Sequence, residues 1–164
     1  MQKTIRILAI IAAILVALSF LLLLISIPFQ RLIADKGFGY SQDIIGLLPV
    51  VPWAVIAECF VLLGCAILAV VFGGNQKGGL WLEILVLIVV VLALPLIGTL
   101  LGHVQNVVIG QARGSMYIAA NSVTNTIANF CMWPGNLGQS LILVVAGMSM
   151  VHKHMSKKLA KVTE

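Results

Sequence analysis

The sequence predicts an all-α integral membrane protein with four transmembrane helices, N-in/C-in, and an additional amphipathic or re-entrant helix before the fourth crossing. Three observations carry this reading. Of the 164 residues, 61% are hydrophobic and 9% charged, more apolar surface than a soluble domain of that length can hide, so lipid is the expected solvent. Apolar runs of about 20 residues, the length that crosses roughly 30 Å of hydrocarbon, recur along the chain. Lys3, Arg6, Lys153, Lys157, Lys158 and Lys161 place six of the ten basic residues at the two ends, as topology signals beside apolar helices rather than a nucleic-acid surface. A single domain over 1–164 is expected, with crossings near 5–27, 51–72, 80–101 and 137–151 and an amphipathic segment at 116–132.

The opening stretch has basic residues before an apolar core, as a signal peptide does. The core is longer than the ~7–15 residues of such a peptide and no Ala-x-Ala site follows, so it is expected to persist as the first crossing, ending at Pro28. Ala9, Ala13 and Ala17 make a small-residue strip for close helix approach. In the following loop, Arg31, Asp35, Lys36 and Asp43 cancel in charge, and Gly37, Phe38, Gly39 and Tyr40 read as a turn at headgroup level.

The second apolar run, from Ile44 to Phe72, contains Pro49 and Pro52, which suggest a bent or interfacial start because each removes a backbone donor. Glu58 lies inside it. A carboxylate at that depth is costly unless neutral, paired or facing a wet cavity, which makes Glu58 the strongest candidate for a proton, cation, substrate or interhelical role. The connector GGNQKGG is a hairpin turn; it lacks the GxxxxGK[ST] pattern of a phosphate loop.

The third crossing starts at Leu80 with Trp81 as an interface anchor, and Glu83 is expected at headgroup level or paired with Lys77. Pro95 predicts a kink, and Gly98 with Gly102 forms a GxxxG pair for helix packing. His103 follows, as a possible proton relay or a hydrogen-bonded surface histidine.

From Arg113 to His154 the chain becomes polar at helical spacing. Asn121, Asn125 and Asn129 recur every four residues and share one side of a helix. Its 42 residues would span about 63 Å as one helix, roughly twice the hydrocarbon thickness. The preferred expectation is therefore two elements separated at Trp133, Pro134, Gly135 and Asn136. A single strongly tilted helix broken at Pro134 is the alternative.

Positive charge concentrates on the side holding the N-terminus, Lys77 and the C-terminal lysines, so both termini are expected in the cytoplasm, in a bacterial cytoplasmic membrane. Cys59, Cys65 and Cys131 have neither redox nor zinc-ligand spacing. His152 and His154 lack a nearby acid, so neither a metal nor a cofactor is expected. No paired nucleophile and base is visible, and catalysis is not expected.

The leading expectation is a small accessory or structural subunit that packs against another integral membrane protein. The alternative is an oligomeric channel or transporter for a cation, proton or small polar solute. Glu58, Asn121, Asn125, Asn129 and His103 are the candidates for a substrate or ion path or a partner contact. Expected partners are another integral membrane protein or copies of the same chain, and membrane lipid, anionic near the basic C-terminal tail, but no nucleic acid.

Overall fold

In hydrocarbon every backbone polar group must be satisfied within the chain, so apolar runs of this length become helices. The computed structural model describes residues 1–38, 50–74, 80–111 and 115–162, with side chains over 1–29, 55–73, 80–101, 103 and 126–159. The order is α1 (Gln2–Phe38), α2 (Val50–Gly74), α3 (Trp81–Ile88), a π-helical turn (Val89–Ala93), α4 (Leu94–Gln111) and α5 (Ser115–Val162). Four helical stretches are long and apolar enough to span a membrane: Gln2–Phe29, Val55–Gly73, Trp81–Leu101 and Thr126–Leu159. The chain is an all-helical integral membrane protein.

Two prolines expected to end helices do not. α1 continues through Pro28, where the missing N–H leaves only the Leu24 carbonyl without its intrahelical donor. The Ser26 hydroxyl donates to the adjacent Leu23 carbonyl at 2.7 Å, one of the local adjustments by which membrane helices tolerate proline. α5 likewise runs unbroken through Pro134, so the separation predicted at Trp133 to Asn136 is absent and 116–132 and 137–151 belong to one helix.

Packing against α1 explains that continuity. Ser19 donates to the Cys131 carbonyl at 2.6 Å, one residue from the carbonyl that Pro134 orphans. Gly135 and Gly138, which weaken an isolated helix, are where α1 approaches most closely. A Cβ on Gly138 would sit 2.6 Å from Val16 Cγ2 and 3.0 Å from the Ala12 carbonyl oxygen. Proximity of backbones at small residues is a main source of helix association in lipid.

α1 and α5 form the most extensive helix pair, and α2 packs on both. The buried face of α1 is Ile5, Ala9, Ala12, Val16, Ser19 and Leu23, so Ala9 lies at its centre while Ala13 and Ala17 sit at its edge, half-buried. On α5, Cys131, Ile142, Val145, Ala146 and Ser149 are buried. Cys59 of α2 directs its thiol at the Val16 carbonyl, 3.8 Å away, and Phe20 meets Phe60 with ring centroids 6.4 Å apart. All three cysteines are free and buried.

The third rod, α3 to α4, is the least buried of the four spans. Its first part packs on α2 and α5, whereas the close contacts of α4 among the described residues are with α2. Pro95 has no N–H to offer Val91, and the helix widens just before it: Leu94 N–H donates to the Val89 carbonyl, five residues back. The predicted distortion at Pro95 is thus a π turn.

Gly73 at the end of α2 faces Ile5, Arg6 and Ala9, and Glu83 near the start of α3 meets Ser149 and Lys153 near the end of α5. These four helix ends therefore share one end of the bundle. Arg31, Asp35, Lys36, Gly37 and Phe38, expected in a loop, belong to α1, while Gly39, Tyr40 and the turn containing Lys77 lie outside the described residues.

Candidate functional site

Two polar sites interrupt the apolar interior. The first is a cleft of about 200 Å³ between α2, α4 and α5, lined by Glu58, Leu62, Leu94, Pro95, Gly98, Met132, Asn136 and Gln139. Glu58 is the ninth residue of α2, about 12 Å along the axis from the start of that helix. Its side chain is half-buried. The carboxylate lies flat against the α4 backbone: a Cβ on Gly98 would come within 2.7 Å of Oε1. Gly98 is therefore the residue that makes room for Glu58, a more specific role than the GxxxG packing predicted for it. Gly102 lies outside the residues with described side chains.

The cleft opens on the outer surface of the bundle, where Pro95 and Asn136 are exposed. Glu58 makes no hydrogen bond or ion pair among the described residues. Of its two anticipated partners, His103 is exposed and does not line the cleft. The fourth span does reach Glu58, through Asn136 and Gln139 rather than Asn129.

On α5, Asn129, Trp133, Asn136 and Ser140 are all exposed, and their spacings of four, three and four put them on one face. Of the predicted triplet, Asn129 thus shares an exposed face with Trp133, Asn136 and Ser140. Ser140 donates to its own helix at the Asn136 carbonyl, 3.1 Å away. Asn121 and Asn125 lie on α5, outside the residues with described side chains.

The second site was not legible in advance. Lys153 Nζ lies 2.6 Å from Glu83 Oε1, with both side chains almost completely buried, and the Ser149 hydroxyl donates to the same oxygen at 2.8 Å. Lys77, the partner expected for Glu83, lies outside the described residues, and Glu83 is instead buried in an ion pair with Lys153. It turns inward because Glu83, Val86, Val90 and Leu94 share the buried face of the third rod, and its place in the first turn of α3 sets a negative charge at the favourable end of the helix dipole. Glu83 Oε2 is buried without a hydrogen-bond partner among the described residues. Spacing gave one clue: Ser149 and Lys153 are four apart on α5 and so present two donors on one side.

The two sites are about 18 Å apart along the third rod, from Glu83 to Pro95. Leu62, Cys65, Ala66, Ala69, Val86 and Val90 are buried and belong to the core. Among the described residues no group of three or more His, Cys, Asp or Glu side chains is placed to hold a metal. No protein-family model, curated protein or solved structure matches the chain.

Proposed function

We propose that the chain is an accessory subunit that packs against another integral membrane protein through the exposed face of α5. The observation that carries this reading is the row Asn129, Trp133, Asn136 and Ser140, which sets amides and a hydroxyl on the outside of a membrane-spanning helix. Polar side chains in a span characteristically face protein or a water-filled space rather than acyl chains. Interhelical hydrogen bonds of this kind contribute about 0.6–2 kcal/mol each, so three or four specify a partner while packing supplies much of the affinity.

Site-specific photocrosslinking in native membranes tests it. A photoreactive side chain at Asn129 or Trp133 should form an adduct with one other integral membrane protein, and Asn129→Leu with Asn136→Leu should abolish that complex. The same group at Ile14, exposed on α1, should capture lipid alone. Lipid adducts alone at all three positions would overturn the subunit reading.

A second reading, an oligomeric channel or transporter, is supported by the cleft that opens beside the same face. The apolar residues between Glu58 and Glu83 mean that a path would run between copies of the chain rather than through one. It predicts crosslinks at twice the chain mass and a flux in proteoliposomes that Glu58→Gln or Asn125→Leu reduces.

A further inference from the structure

Glu58 presents a carboxylate to the lipid-facing side of a transmembrane bundle, and among the described residues no cation balances it. Lys153 is committed to Glu83, and no basic side chain among the described residues lines the cleft. An acidic side chain inside a span is costly when uncompensated. The opening between α4 and α5 admits a counter-ion from outside.

The lining says what would compensate it. Glu58, Asn136 and Gln139 offer acceptor oxygens from three side chains, and a primary ammonium carries three N–H donors and one positive charge. Leu62, Leu94, Pro95 and Met132 make the remaining wall apolar, which suits methylenes next to that head. A volume of about 200 Å³ is several times the ~30 Å³ share of one water molecule. It holds an aminoalkyl head but not a long chain, so the tail would leave sideways into lipid. The depth of Glu58, about 12 Å from the start of α2, is within reach of a head descending from the nearer surface.

We propose that the cleft between α2, α4 and α5 binds the primary ammonium group of a lipid-phase amphiphile, with Glu58 as its counter-ion and Asn136 and Gln139 accepting the remaining hydrogen bonds. This goes beyond the subunit reading: the two share Asn136, but Glu58, Gly98 and Gln139 belong to the cleft alone. Gly98 keeps the carboxylate available, since any side chain there would displace it.

Native mass spectrometry of the purified chain in neutral detergent, titrated with dodecylamine, dodecyltrimethylammonium or dodecanol, provides the test. Dodecylamine should bind as a one-to-one adduct at least tenfold more tightly than the trimethyl analogue, which has the charge but no donors, and than the uncharged alcohol. Glu58→Gln and Gly98→Ala should each weaken the amine at least tenfold, and Asn136→Leu with Gln139→Leu should do so with Glu58 intact. That last variant decides the matter should Glu58→Gln fail to fold. Equal binding of all three amphiphiles, or undiminished amine binding in the variants that fold, would overturn the proposal. A second arm distinguishes the sources of the ammonium group. Phosphatidylethanolamine retained over phosphatidylcholine after nanodisc extraction, and lost in Glu58→Gln, identifies a lipid headgroup; amine binding without such retention identifies a free lipophilic amine.

Discussion

Glu83 and Glu58 differ less in depth than in what meets them. Glu83 sits in a fixed pair with Lys153 and Ser149, and removing one partner of a buried ion pair strands the other. Lys153→Met should therefore lower stability by about 3–5 kcal/mol in detergent-denaturant titrations, whereas Glu83→Leu with Lys153→Leu should recover most of that loss. Glycines separate just as sharply. Gly138→Ala would press a methyl against the Ala12 carbonyl oxygen and should cost about 1–3 kcal/mol. Gly147→Ala meets no atom within 4 Å and should be neutral or stabilising by about 0.5–1 kcal/mol, as thermal unfolding would record. At this scale Glu58 was legible because one acid in an apolar run is conspicuous. The partners of Glu83 were not, because a contact across 66 residues leaves no local pattern, and lysines near a chain end also serve as topology signals.

Proline and glycine punctuate loops in water, and that rule misplaced the end of α1 and divided α5. In lipid an interrupted helix exposes backbone groups with no solvent to receive them, while continuing past a proline orphans one carbonyl. The neighbouring helix then covers the weak point, as Ser19 does at Cys131. Spin labels placed singly from Thr126 to Ser140 should show lipid accessibility with a 3.6-residue period through Pro134. A loss of phase between 133 and 136 would mean two elements. Pro95 marked the place where the helix departs from α geometry, but not the π turn before it, since that depends on which carbonyl the upstream N–H groups select.

The four-helix architecture was the most legible level, because membrane spans are set by length and composition alone. How the spans meet was hidden, since lipid-facing and helix-facing positions are equally apolar and hydrophobic periodicity loses its meaning. The shared end formed by Ile5, Gly73, Glu83 and Lys153 gives the orientation proposal a direct check. With both termini in the cytoplasm, Lys3→Cys and Lys157→Cys should resist a membrane-impermeant maleimide in intact cells and react once the cells are opened; labelling from outside would reverse the orientation.

The Glu83–Lys153 pair also bears on how the protein is made. Synthesis runs from the N-terminus, so Glu83 leaves the ribosome 66 residues before Ser149 and waits roughly 3–13 s for it at ordinary elongation rates. During that interval the third segment carries an unmatched acid and has no α5 to lean on, a state suited to holding by the insertion machinery. Arrival of α5 ends the wait and closes the bundle around Glu83. Nascent chains halted before Ser149 should remain bound to the insertase or be degraded, and Glu83→Leu should release them early.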